Sequence, residues 1–330
     1  MTIPYQQELQ VALAAVRQAS LICRSVQAAI TDEVLEKQDK SPVTVADFSS
    51  QAVICRALNA AFPEDPIIGE EDAAELRQTE NHEFLEKIVT ELSAAGIPES
   101  NPENTCRWID QGGAKEYSSR FWTLDPIDGT KGFLRKEQYA VSLALIIDGK
   151  IVVGVLGCPN LPHPVNESIK GTIYHAVAGQ GAFATPLDQE QAAVPIRVKT
   201  TSDFSQSRFC ESVESGHSSH GLSQQVAAKL GIEKEPRRLD SQAKYAVVAQ
   251  GDADIYMRLP TRIGYREKIW DHAAGVLLVE EAGGTVTDIN GKPLELNHGY
   301  ELTDNQGVIV TNGPLHLGLI ETLDKLATDQ

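Results

Sequence analysis

The segment Trp122-Thr-Leu-Asp-Pro-Ile-Asp-Gly-Thr-Lys-Gly-Phe133 gathers residue types that handle hard cations and anions. Phe121 to Leu124 reads as a strand that delivers Asp125 at its C-terminal end. Pro126 predicts a turn there, because it cannot extend the strand. Asp128 follows, then Gly129-Thr130 at a helix start. Two carboxylates beside free backbone N–H groups make a place for cations and for the anion they hold. Taken alone, an Asp-x-x-Asp pair on a turn is more often a solvated turn or a helix cap. Further carboxylates stand in similar places. Glu70-Glu71 follow a short strand at Ile67-Ile68, and Asp271 follows Ile269-Trp270 and opens a helix, where a plain N-cap is the alternative role. Carboxylates converging from several elements suit phosphate-ester hydrolysis, which needs up to roughly 10²¹-fold acceleration. Two cations about 3.5–4 Å apart can clamp the attacking and leaving oxygens.

These residues need elements to carry them. Leu9, Leu13, Val16, Cys23, Val26 and Ile30 recur at helical spacing, so the chain opens with a long amphipathic helix. Ser41-Pro42 marks a break. Thr44 is placed to cap a second helix, with Asp47 in the capping-box position. Residues 73 to 120 read as a helix followed by a long polar loop that includes Cys106. Asp148-Gly149 between two apolar runs predicts a hairpin, and Gly179-Gln180-Gly181 a second turn. Polar residues 185 to 195, with Pro186 and Pro195, place a boundary near residue 190. Residues 1–190 then form an α+β domain with an antiparallel sheet, and 191–330 an α/β domain that completes the site. In the second part, helices are expected at 222–230, 242–250 and 271–282, and strands at 253–257, 285–288 and 307–311.

Composition excludes some functions. The 330 residues are 42% hydrophobic and 23% charged, enough for a sizeable core. Asp and Glu number 46 against 29 Lys and Arg, a net charge of -17. That argues against a grip on polymeric nucleic acid, which needs a basic face, but not against a small anion reached through a metal. The five cysteines are widely spaced without a CxxC, so a disulfide framework or zinc site is not expected. His217 and His220 have HxxH spacing but no third ligand of the right type nearby. No apolar run spans a membrane, and no secretory signal is seen. The cytoplasm is the expected compartment, with an organelle after transit-peptide removal as the alternative.

The ordered motifs Gly69-Glu70-Glu71, Asp125-Pro126-Ile127-Asp128-Gly129-Thr130 and Trp270-Asp271-His272-Ala273-Ala274-Gly275 resemble those of the inositol monophosphatase superfamily, over nearly the whole chain. The resemblance implies a layered αβαβα sandwich, of α/β class, with the site between the domains. It implies two or three Mg²⁺ ions. Glu70, Asp125 and the carbonyl of Ile127 would hold the first, and Asp125, Asp128 and Asp271 the second. Glu71 would support a water at the cation. Asp47 would pair with Thr130 to take a proton from the attacking water, and the N–H groups of Gly129 and Thr130 would cradle the phosphate.

Within the superfamily, Ser41–Asp47, Asp128–Arg135, His217–His220, Asp240–Tyr245 and Tyr265–Gly275 are most similar to the 3'(2'),5'-bisphosphate nucleotidases. That likeness implies removal of the 3'-phosphate from adenosine 3',5'-bisphosphate, and from its sulfated form, in sulfate assimilation. It places Ser241, Lys244 and Arg258 near the distal phosphate and His217 near the adenine, and it implies sensitivity to lithium. Judged without it, Lys244 is a solvated helix lysine and Arg258 a surface ion pair. An inositol polyphosphate phosphatase is the runner-up. A non-catalytic sensor is disfavoured, because Asp47, Glu70, Asp125, Asp128, Thr130 and Asp271 are all present. His272 is expected to pack or support, not to catalyse.

Overall fold

The computed structural model describes residues 4–30, 41–189, 192–213, 220–260 and 264–328. Helix α1 (Gln6–Ala28) buries Ala12, Ala15, Val16, Ala19, Cys23 and Val26, a stripe at helical spacing as its sequence predicts. Helix α2 (Ser41–Ala61) starts at Ser41, so Thr44 lies inside it and does not cap it. Pro42 sits in the first turn, where its missing N–H costs no helical bond.

A seven-stranded sheet follows in the order β1 (Ile67–Gly69), β2 (Arg120–Asp128), β3 (Ala140–Ile147), β4 (Lys150–His163), β5 (Asn166–Val177), β6 (Ala182–Pro186), β7 (Val194–Ile196). β1 and β2 are parallel and the other neighbours antiparallel. The stretch between β1 and β2 holds two helices, α3 (His82–Ala94) and α4 (Pro102–Asp110), where one helix and a long loop were expected. The side chain of Asn101 accepts the Asn104 N–H at 2.9 Å, and Pro102 opens the helix. Proline there marks a helix start, not a loop. Cys106 is therefore buried on a helix.

The short α5 (Thr130–Leu134) follows β2. The second sheet runs β11 (Thr285–Thr287), β12 (Val308–Thr311), β10 (Ile255–Arg258), β8 (Phe209–Glu211), β9 (Arg237–Arg238). Its helices are α6 (His220–Leu230), α7 (Ala243–Ala249), α8 (Ala273–Glu281) and α9 (His316–Thr328). The boundary expected near residue 190 falls between β6 and β7, which pair with each other.

Alternation along the strands builds the layers. On β3, Val141, Leu143 and Leu145 face α1 and α2, while Ala140, Ala144 and Ile146 face α7 and α8. On β10, Tyr256 joins that central core, while Ile255 and Met257 face the outer helices α6 and α9. Three apolar clusters, the middle one joining both sheets to α7 and α8, thus hold five layers together, αβαβα. Gly275 lets α8 seat against α7, since a Cβ there would come 2.4 Å from the Tyr245 ring.

Candidate active site

Because β1 and β2 are parallel, with Gly69 opposite Leu124, Glu70 follows the end of β1 beside Asp125 on β2. Gly69 has to be small. A Cβ there would lie 2.8 Å from the Gln51 Oε1, and that amide accepts the Glu71 N–H at 3.1 Å. Gln51 also donates to the carbonyls of Glu71 and Ile109, at 2.5 and 3.0 Å. The Glu70-Glu71 corner is thus pinned from α2.

Pro126 does not end the strand, contrary to expectation. β2 runs on to Asp128, with irregular pairing to β3 between Asp125 and Asp128. β1 has already ended there, so the proline breaks no ladder on that side. Ser50 Oγ donates to the Pro126 carbonyl at 3.0 Å. Gly129, at φ 94°, then turns the chain into α5, a conformation costly for other residues.

Asp271 does not cap α8. It lies in a 3₁₀ turn, Ile269–Asp271, before that helix. Gln242, which the sequence reading did not single out, ties the pieces together. Its N–H donates to Asp128 Oδ2 at 2.5 Å, its Nε2 to the Trp270 carbonyl at 2.8 Å, and its Oε1 accepts the Gly275 N–H at 3.1 Å. The available signal was its place inside the Asp240–Tyr245 stretch. That stretch meets the Asp128–Arg135 stretch through an Arg135–Asp240 ion pair.

These elements surround a cleft of about 410 Å³ lined by Glu70, Asp125, Ile127, Asp128, Gly129, Thr130, Ser241, Lys244, Arg258 and Asp271, with Gln242 and Tyr265 among its other walls. Asp47 is buried behind it, close enough to feel the charges of Glu70 and Glu71. Helix α2, which carries Asp47, packs on α5, which carries Thr130. His217 lies outside the described residues.

The carboxylates crowd one another. Lost hydration pushes Asp125 well above the usual range, aided by Glu70, Asp128, Asp271 and Asp47. Asp47 is raised likewise, by burial and then by Glu71 and Glu70. Glu70 rises to about 7, through desolvation and the charge of Glu71, against a hydrogen bond with Asp125. Asp271 rises to about 7, through desolvation and Asp128, with His272 and Arg258 opposing. Glu70 is exposed, so solvent moderates both the lost hydration and the neighbouring charges.

Lys131, Lys244 and Arg258 also line the cleft. Lys244 is 3% exposed, not solvated. Its Nζ lies 3.4 Å from the Leu239 carbonyl and 5.1 Å from the Tyr256 ring centroid, and burial lowers its pKa. Arg258 is no surface pair either. It is largely buried, with its Nε 3.1 and 3.2 Å from the two Glu267 oxygens. His272 packs as expected, between Tyr245 and Glu267.

The set fits divalent cations. Asp125 is 2% exposed, and its Oδ1 is buried without a hydrogen-bond partner, a costly state for a carboxylate lacking a positive neighbour. Among the described residues, two tighter triples of candidate ligand atoms lie within 4.8 Å: Glu267, Asp271 and His272, and the exposed Glu295, His298 and Asp304. In the first, Arg258 and Tyr245 already engage Glu267 and His272. Glu70, Asp125, Asp128 and Asp271 form no such triple with one another among the described residues.

The inositol monophosphatase family model matches residues 5–327. A 3'(2'),5'-bisphosphate nucleotidase of Schizosaccharomyces pombe is 46% identical over 325 residues, covering 92% of this chain and 91% of that one. A Dictyostelium discoideum protein of the same name is 40% identical, covering 96% of each chain. An inositol monophosphatase from Anabaena (Nostoc) sp. PCC 7120 superposes with a TM-score of 0.64 at 23% identity, covering 98% of this chain and 97% of that one, a likeness of fold. Motifs, layers and relatives agree that the chain belongs to the inositol monophosphatase family.

Proposed function

We propose that the protein is a magnesium-dependent phosphatase that removes the 3'-phosphate of adenosine 3',5'-bisphosphate, leaving AMP, and acts on the sulfated form of that nucleotide as well. The observation that carries this reading is that one cleft holds charges of both signs. Glu70, Asp125, Asp128 and Asp271 line it together with Lys244 and Arg258. A bisphosphate has one phosphoryl group for each. The names of the S. pombe and D. discoideum relatives support the same substrate class. Clearing a by-product of sulfate assimilation is the corresponding role.

Magnesium bound among the carboxylates supplies charge withdrawal from the phosphoryl and leaving oxygens. Glu70, Asp125 and the Ile127 carbonyl would hold one ion, and Asp125, Asp128 and Asp271 another, with Glu71 beside them. Thr130 and Asp47 take the proton of the attacking water. The raised basicity of Asp47 suits a terminal acceptor. The N–H groups of Gly129 and Thr130 face the transferred phosphate. Ser241, Lys244 and Arg258 hold the second phosphate, and His217 is assigned to the base.

The test is phosphate release from adenosine 3',5'-bisphosphate and from inositol phosphates, side by side, with magnesium or a chelator. Preference for the nucleotide, lost on chelation, is expected, as is inhibition by lithium. Equal or better turnover of inositol phosphates would favour the inositol phosphatase reading.

A further inference from the structure

Four side chains form a hydrogen-bonded line behind the cleft. Tyr245 Oη is 2.6 Å from His272 Nδ1, His272 Nε2 is 3.2 Å from Glu267 Oε2, and Arg258 Nε donates to both Glu267 oxygens. Tyr245, His272 and Glu267 are all buried. Burial alone would raise the Glu267 carboxyl, but the hydrogen bond and charge of His272, then Arg258, hold it down at about 2. At the end of the line, Arg258 Nη2 stands 3.8 Å from Asp271 Oδ2, outside hydrogen-bond reach. The guanidinium therefore lies between two carboxylates and is bonded to one.

That asymmetry matters because arginine prefers a two-bond grip on a carboxylate. A movement of about 1 Å would bring it onto Asp271. Such a pair would take up lone pairs that a cation needs, and guanidinium N–H groups that an anion in the cleft would use. The geometry points to Glu267, locked by His272 and Tyr245, as a positioning residue that keeps Arg258 off Asp271. Asp271 stays available to a divalent cation, and the outer edge of the guanidinium to an anion. This inference rests on the proposed role of Asp271 in cation binding.

Direct Mn²⁺ binding, followed by the electron paramagnetic resonance signal of the free ion, separates the two ideas. Glu267→Gln removes the anion and leaves the shape, so Arg258 should turn to Asp271 and Mn²⁺ binding should weaken about tenfold. Adding Arg258→Leu should restore Mn²⁺ affinity to the native range, while KM for adenosine 3',5'-bisphosphate stays raised. That rescue is what general loosening of the site would not produce. Should circular dichroism show Glu267→Gln unfolded, Tyr245→Phe loosens the same line more gently. It should weaken Mn²⁺ binding by a few fold. Native-like Mn²⁺ binding in a folded Glu267→Gln variant, or a double variant as weak as the single one, would overturn the inference alone. A native protein that binds no Mn²⁺ would overturn the cation reading first, and this inference with it.

Discussion

At the scale of single residues, Lys244 and Arg258 have different duties although both line the cleft. The ammonium of Lys244 is buried with one long contact to a carbonyl, so most of its hydrogen-bonding capacity is uncommitted. If it meets the phosphate that does not react, its contribution is the same in ground and transition states. Lys244→Met should raise KM for adenosine 3',5'-bisphosphate about 10- to 150-fold, from roughly 1.5–3 kcal/mol for a charge-assisted bond. Turnover at saturation should hold, and adenosine 3'-monophosphate should be nearly indifferent. Equal losses on both nucleotides in steady-state kinetics would remove Lys244 from the second phosphate. Arg258→Ala is a poorer probe, because it strands the buried Glu267 carboxylate and costs stability as well. Asp47 and Thr130 make a second residue-scale test. Asp47→Asn and Thr130→Ala should each lower turnover roughly 10²–10⁴-fold. The double variant should be little worse than either, as for residues acting as one unit. Multiplying effects would mean separate roles.

At the scale of elements, the site depends on side-chain amides that join pieces distant in sequence. Gln51 ties α2 to the corner after β1 and to the end of α4. Gln51→Leu keeps the bulk but leaves buried backbone groups unpaired, each costing about 1–3 kcal/mol. The expected result is a lower melting temperature together with a higher magnesium requirement, because Glu70 moves with that corner. A melting temperature that falls while the magnesium dependence stays native would confine Gln51 to a structural role. The seam between α7 and α8 offers a steric test. Gly275→Ala would drive a methyl group into the Tyr245 ring. Overpacking of this kind costs roughly 1–3 kcal/mol, readable by urea unfolding. An unchanged midpoint would show that the helices can part without loss.

At the scale of the whole molecule, cation binding and folding are linked, since Glu70, Asp125 and Asp128 come from the β1–β2 edge of the first sheet and Asp271 from the turn before α8. Glu70 and Asp271 each rise to about 7. A carboxyl raised in the folded state binds more protons than its unfolded counterpart above about pH 4.5, so stability should fall as pH rises. The loss should build from about pH 4 to about pH 7 and then level off. Magnesium should cancel it by satisfying the ionised forms. Melting temperatures in chelator should therefore drop between pH 5 and pH 8, and the gain from magnesium should be larger at pH 8. A gain independent of pH would mean that the ion does not bind these carboxylates.

Alternation and spacing were enough to establish much of this protein. α1, the hairpin at Asp148-Gly149, the helices at 220–230, 243–249 and 273–281, and the strands around Ile255, Thr285 and Val308 follow from local apolar pattern and turn chemistry. Asp125, Asp128, Glu70 and Asp271 stand out locally as acidic residues at element ends, and it is the family likeness that groups them, with Ser241, Lys244 and Arg258, around one cleft. Other features were decided only by tertiary contact. Pro126 stays in its strand because β1 stops short, which is a property of the partner strand. Strands β8 and β9, of three and two residues, have no period to read and exist through their parallel pairing. Gln242 and His272 gain their roles from atoms far along the chain. So does the burial of Lys244, which isolated spacing reads as a solvated lysine, because the neighbouring layers that exclude water from it are assembled only in the fold.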